Sequence, residues 1–303
     1  MTSLVNSSRR TLGSLSVGPI AFGCWRFVGM PVDGARHVLE SALDSGMNLI
    51  DTADVYGLDW GGTGFGQAEE LLGEVLASDP SLRDRMVLAT KGGIMPPIPY
   101  DSSGEYLEAA CDRSLQRLRT DTIDLYQIHR PDLFTHPAEL ASVLTSLRAS
   151  GKVREVGVSN YTPAQTRALQ AHLAFPLVST QPQFSASQLA PLRDGTLDLA
   201  MELGLIPLAW SPLGGGMLAT GETGEGAPLS QLIETLDRLA EREGVDRASI
   251  ALAFILAHPS TPIPIIGSQK PDRIASSTKA FDVNLDRNDV YDIIEASEGV
   301  PLP

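Results

Sequence analysis

The chain is poor in lysine. Lys91, Lys152, Lys270 and Lys279 are the only four, and arginine carries the rest of the positive charge. Acids outnumber bases to a net charge of -14, which argues against nucleic acid or an anionic membrane as a main partner. Cysteine is scarce too. Cys24 and Cys111 form neither a metal-ligand spacing nor a disulfide framework, and both suit burial as small apolar residues. No uninterrupted apolar run approaches the roughly 18 residues of a membrane span. Met1 to Arg10 lacks the apolar core of a signal peptide, so a soluble, cytoplasmic protein is expected. His37, His129, His136, His172 and His258 contain no His-x-His pair, which leaves a metal-dependent hydrolase without a ligand cluster, and no metal is expected. The run Gly61-Gly62-Thr63-Gly64-Phe65-Gly66 matches neither a P-loop nor a dinucleotide fingerprint. Without that fingerprint a doubly wound sheet is disfavoured.

What the chain does have is alternation. Arg10 to Ile20 carries turn residues between short apolar runs, which predicts a β-hairpin leading into a strand that ends at Phe22-Gly23. Seven more strand-like runs follow, at Asn48–Ile50, Arg85–Gly93, Ile123–Asp132 with its exit loop, Val153–Asn160, Leu177–Gln181, Ile206–Gly216 with its loop, and Ile263–Ser268. Helical patterns separate them. Asp33 to Ser45 stops at Gly46, Pro137 to Ser150 stops at Gly151, and Thr162-Pro163-Ala164-Gln165 is a capping box with proline in the first helical position. The last barrel helix is expected over Pro271 to Ala280. The strands are short and nearly all apolar, as strands buried on both faces are. Eight such units predict an α/β (β/α)8 TIM barrel with an N-terminal β-hairpin at its bottom. No repeat or linker divides the chain, so a single domain over 1–303 is expected, as a monomer or weak oligomer.

In such a barrel the C-terminal strand ends open onto the active-site face. Asp51, Lys91 and His129 each end a different strand, and Tyr56 lies just past Asp51. Each alone has an ordinary explanation: a turn cap, a snorkelling cation, a structural hydrogen bonder, a packed ring. Together they form a candidate acid–base centre. A phenol with a pKa of about 10 is a weak acid, and an ammonium beside it is expected to lower that value. Tyr56 would then give up a proton more readily, with Asp51 keeping Lys91 charged and His129 fixing a substrate oxygen.

Asp51-Thr52-Ala53-Asp54-Val55-Tyr56-Gly57, Thr90-Lys91-Gly92, His129-Arg130-Pro131-Asp132, Gly157-Val158-Ser159-Asn160, Gln181, Trp210-Ser211-Pro212-Leu213 and Ile266 to Ile274 resemble the aldo-keto reductases over nearly the whole chain. Gly151-Lys152-Val153-Arg154 and Leu213-Gly214-Gly215-Gly216 point to the bacterial YdhF-like branch. The resemblance implies hydride transfer from a nicotinamide cofactor to an aldehyde or ketone. It makes Tyr56 the general acid, Lys91 and Asp51 its tuning pair, and His129 the residue that orients the carbonyl. Some relatives act instead as cofactor-sensing regulatory subunits, and an intact tetrad leaves that alternative open.

For the cofactor, the resemblance implies that Ser159, Asn160 and Gln181 meet the carboxamide and that Trp210 stacks on the nicotinamide ring. Gly23, Trp25 and Asp51 lie nearby. Ser211, Pro212, Leu213, Gly214 and Gly216 form a loop whose glycines let the backbone approach a pyrophosphate. Gly267, Ser268, Gln269, Lys270 and Arg273 lie at a strand-to-helix turn suited to an anion. That set favours NADPH, with NADH possible. Gly267 stands where many relatives have lysine, and Ser276 and Ser277 stand where an acid and an amide often hold the adenine. Trp25, Phe27, Tyr56, Trp60, Ile94, Met95 and His129 are expected to line an apolar pocket for a small carbonyl substrate. Short loops after His129 and at the C-terminus suggest an open site with broad tolerance.

Overall fold

The structure, a computed structural model, describes residues 3–58, 61–222 and 229–303. The chain enters through an antiparallel hairpin of β1 (Arg10–Leu12) and β2 (Leu15–Val17), then alternates strand and helix. The series opens with β3 (Ala21–Gly23), α1 (Val32–Asp44), β4 (Leu49–Asp51), α2 (Gln67–Ser78), α3 (Ser81–Asp84), β5 (Val87–Gly92) and α4 (Gly104–Leu118). It continues with β6 (Ile123–Ile128), α5 (Pro137–Ala149), β7 (Val153–Ser159), α6 (Pro163–Gln170), β8 (Ser179–Gln181) and α7 (Thr196–Leu203). Then come β9 (Ile206–Ala209), α8 (Met217–Thr220), α9 (Ser230–Glu243), α10 (Arg247–Leu256), β10 (Ile263–Ile266), α11 (Pro271–Ser276) and α12 (Arg287–Glu298). Strands β3 to β10 pair in parallel, and β10 returns to β3, closing the barrel. This is the (β/α)8 barrel that the alternation predicts, with its hairpin.

Side chains alternate between the two faces of each strand, and this splits the core into two shells. Phe22, Ile50, Leu88, Tyr126, Val156 and Val158 face outward and pack under the helices. Leu49, Val87, Ala89, Leu125, Leu208, Ile263 and Ile265 fill the lower barrel. Leu12, Leu15 and Val17 of the hairpin join that inner cluster and plug its floor. Each buried leucine there contributes about 2 kcal/mol. The plug is pinned by polar contacts. Ser14 donates its backbone N–H and its hydroxyl to Glu155 Oε1, both at 2.7 Å. Gly13, at φ +59, leaves no space for a side chain, because a Cβ there would lie 2.4 Å from the same oxygen.

Above the apolar floor the inward positions turn polar: Asp51, Lys91, Gln127, Ser159, Ser179 and Gln181 are all buried. The register sets them at one level, with Lys91 beside Gln127 and Ser159 beside Gln181. The predicted caps are present, including the reciprocal Thr162–Gln165 box that starts α6. One helix differs from expectation. The segment from Pro271 is α-helical only to Ser276 and continues to Phe281 as a 3-10 turn. Ser277 and Thr278 return their hydroxyls to the carbonyls of Arg273 and Ala275, and such local bonds compete with the regular helical ladder.

Candidate active site

Lys91 is fully buried on β5, and its ammonium has three hydrogens to place. It donates to Asp51 Oδ2 at 2.7 Å, to the carbonyl of Thr52 at 2.8 Å and to the Tyr56 hydroxyl at 3.0 Å. The other oxygen of Asp51 accepts from the Gln127 and Gln181 amides at 3.2 and 3.0 Å. Burial disfavours the Lys91 charge, but Asp51 and Tyr56 outweigh it and push the ammonium's pKa up. Lys91 is therefore a fixed cation.

Tyr56 stands over this pair. Its ring meets His129 edge-on at 5.7 Å between centroids and lies 6.5 Å from the Trp25 ring. Its pKa differs from expectation. Burial raises it, the ammonium of Lys91 lowers it, Asp51 raises it again, and the balance is upward. The charge pair behind the phenol is nearly neutral in sum, so desolvation decides the sign. His129 moves the other way. Burial, then Lys91, then Arg130 hold it well below the ordinary histidine value, so the imidazole is neutral. Its Nδ1 is buried without a hydrogen-bond partner among the described residues.

Beside this centre lies a cradle of amides and hydroxyls. The Trp210 indole N–H donates to Asn160 Oδ1 at 3.0 Å. Asn160 Nδ2 donates to Ser159 Oγ at 2.8 Å, and Ser159 Oγ donates to the carbonyl of Gln181 at 3.0 Å. Asn160 holds φ +58, a conformation asparagine tolerates better than most residues. Past Trp210, Ser211 and Gly214, Gly215 and Gly216 all have positive φ. A Cβ on Gly215 or Gly216 would meet open space, so that turn is not packed against a neighbour at these positions. Pro212 and Leu213 lead into this turn, and Arg26 donates to the Gly215 carbonyl at 3.4 Å.

On the far side, Gly23 and Gly267 approach closely at the ends of β3 and β10. Ser268 Oγ caps the N–H of Lys270 at 3.2 Å. Lys270 and Arg273 have no carboxylate partner among the described residues. Both polar atoms of the Gln269 side chain are buried and unpartnered. Free cations, an unpaired amide and an open glycine turn fit an anionic dinucleotide.

One expected pocket residue drops out. Phe27 is fully buried against Phe22, ring centroids 6.2 Å apart, because the turn that bonds its N–H to the Cys24 carbonyl folds it into the core. Trp60 lies outside the described residues. Two residues not singled out in the sequence reach the site. Gln127 holds Asp51, and the Arg130 guanidinium lies 6.0 Å from the centre of the Trp210 ring. The signal for Gln127 is a polar residue in the apolar run Ile123–Ile128, at the parity that faces Lys91.

Fold and site together define a class: a (β/α)8 barrel with a buried Asp51–Lys91–Tyr56 cluster at the C-terminal ends of its strands and an adjoining set of amides, hydroxyls and unpaired cations. The chain belongs to the aldo/keto reductase family, whose model matches residues 19–298. It is an NAD(P)H-dependent oxidoreductase acting on carbonyl groups. It is 50% identical to a 6-dehydroglucose reductase of Novosphingobium aromaticivorans, over 97% of each chain. It is 34% identical to the oxidoreductase YdhF of Escherichia coli, over 93% of this chain and 94% of that one. A crystal structure of a thermostable aldo-keto reductase, solved with the inhibitor epalrestat, superposes with a TM-score of 0.81 at 23% identity, covering 95% of this chain and 99% of that one. No helix among the described residues is long and apolar enough to cross a membrane.

Proposed function

We propose that the protein reduces aldehydes with NADPH in a single domain, with Tyr56 as general acid. The observation that carries this is the bond from a permanently charged Lys91 to the Tyr56 hydroxyl at 3.0 Å. When bound, the cofactor supplies the hydride. The chain's own groups do the rest. Neutral His129 and the Tyr56 hydroxyl face the same space and hold the carbonyl oxygen between them. As charge grows on that oxygen, Tyr56 passes its proton to it. Lys91, already hydrogen-bonded to the phenol, stabilises the phenolate left behind. Asp51 keeps the ammonium in place through this step, and its remaining oxygen is occupied by two amides. Ser159, Asn160 and Gln181 hold the carboxamide, and Trp210 carries the ring.

Ser268, Lys270 and Arg273 take the 2′-phosphate that distinguishes NADPH. A guanidinium binds phosphate by paired N–H donors, and Arg273 has no competing carboxylate among the described residues. Gln269, Gly267 and the Ser211–Gly216 turn complete the contact. The Novosphingobium relative is named for a sugar aldehyde, and a hydroxylated aldehyde of that kind is the first substrate to assay. Aromatic aldehydes test the breadth of an open pocket.

The experiment is cofactor oxidation with 6-dehydroglucose and a panel of aldehydes, using the wild type and Arg273→Ala. Wild type is expected to prefer NADPH to NADH. Arg273→Ala is expected to raise KM for NADPH roughly tenfold or more, from the loss of a charge-assisted bond, with NADH little changed. Equal losses for both cofactors would remove the phosphate assignment.

A further inference from the structure

Asp51 Oδ1 takes two amide N–H bonds, and only one of the donors, Gln181, lies where the cofactor is expected. The other is Gln127, fully buried inside the barrel and assigned no ligand contact. A carboxylate oxygen can only accept, so the Gln127 NH2 group must face Asp51. Its Oε1 then faces Ser179, whose hydroxyl lies 3.3 Å away. Gly157 makes room for that hydroxyl, since a Cβ on Gly157 would lie 2.0 Å from Ser179 Oγ. The result is one continuous chain: Ser179 to Gln127 at 3.3 Å, Gln127 to Asp51 at 3.2 Å, Asp51 to Lys91 at 2.7 Å and Lys91 to Tyr56 at 3.0 Å. Two strands, β6 and β8, supply its inner half, and β7 leaves it room at Gly157.

We propose that Gln127 is a positioning residue for the acid–base centre, setting through Asp51 how strongly Lys91 bonds the Tyr56 hydroxyl. This rests on the reading of Tyr56 as the acid. A carboxylate that loses an N–H donor draws harder on its remaining partners. Here those are the Gln181 amide on the same oxygen and the Lys91 ammonium, whose bond to Tyr56 then weakens. The titratable groups facing Gln127 are Asp51 from β4 and Lys91 from β5. The facing residue on β7 is Gly157, and β8 offers Ser179 and Gln181, none of which titrates. Among the described residues no second acid or base at this level of the barrel replaces the lost donor, and the Gln181 amide alone remains on that oxygen.

The test uses the full chain and two substitutions of similar size. Gln127→Met keeps the length and removes both hydrogen bonds. Gln127→Glu restores a donor only when its carboxyl is protonated. The readout is the 13Cζ resonance of Tyr56, assigned with Tyr56→Phe, because it reports the Lys91 bond whether or not any carbonyl is reduced. We expect the resonance displaced in Gln127→Met throughout the pH range. In Gln127→Glu it should be displaced on the alkaline side and return toward wild type on the acid side. For reduction, kcat should fall roughly tenfold in Gln127→Met, as for loss of a buried bond to a charge. KM and the NADPH dissociation constant should hold, and the Glu variant should recover kcat at low pH. If Gln127→Met does not fold, the pH-dependent return in Gln127→Glu still decides. A wild-type Tyr56 resonance in every folded variant overturns the proposal. A wild type that reduces no carbonyl would count against the assigned reaction and leave the resonance to decide the role of Gln127.

Discussion

The lysine at position 91 is held in its charged form by Asp51, whose carboxylate accepts from it at 2.7 Å beside the Thr52 carbonyl and the Tyr56 hydroxyl. That fixes the charge on which the tyrosine depends. The neighbouring shifts then predict a pH profile. Tyr56 titrates above its ordinary value of 10.0, and His129 titrates below its ordinary value of 6.5. A general acid works while protonated, so reduction should be lost only as pH rises past the raised phenol value. The imidazole is already neutral, so no loss should centre on the usual histidine range. The expected kcat/KM profile for reduction is therefore flat across neutrality, falling only above about pH 10. An inflection near 6.5 would show that His129 does titrate in the active enzyme. The direction for Tyr56 could not be read from sequence. The ammonium was visible in Thr90-Lys91-Gly92, but the desolvation that outweighs it exists only once the barrel closes.

At the scale of elements, strands place the chemistry and the hairpin seals the other end. Leu12 and Leu15 are the plug, and Leu12 is fully buried in the inner cluster. Truncating it leaves a cavity under the strands that the rigid barrel wall cannot fill. Leu12→Ala should cost about 2–5 kcal/mol of stability, read by denaturant unfolding, with the KM values of the folded fraction unchanged. A loss well below that range would mean the hairpin does not carry the floor. Much of this level was legible. Apolar runs ending in Asp51, Lys91, His129 and Ser159 marked both the strands and the face they open on. The Thr162–Gln165 box marked a helix start to the residue. Less legible were features set by contacts distant in sequence. Phe27 reads as a pocket aromatic until its turn folds it onto Phe22. Gln127 reads as one odd polar residue until β4 and β8 bring Asp51 and Ser179 to it. The last barrel helix shortens because serine and threonine hydroxyls bond back to the backbone, which apolar periodicity does not record.

At the scale of the whole molecule, an acidic protein is proposed to bind an anionic cofactor. The net charge of -14 repels such a ligand at long range, so attraction must be local. On the proposed reading, Lys270, Arg273 and the open glycine turn would provide it at one rim of the barrel, and the buried pair of Asp51 and Lys91 would provide none. Binding and chemistry would then be carried by separate groups and should separate on mutation. The most direct measurement compares Tyr56→Phe with the wild type for NADPH binding, by tryptophan fluorescence, and for NADPH oxidation with an aldehyde. The substitution removes the transferable proton and keeps the ring against His129 and Trp25. The prediction is a dissociation constant for NADPH within about twofold of wild type and turnover reduced by at least about a hundredfold. Turnover near the wild-type rate in Tyr56→Phe would contradict the account, because another group would then be giving the proton.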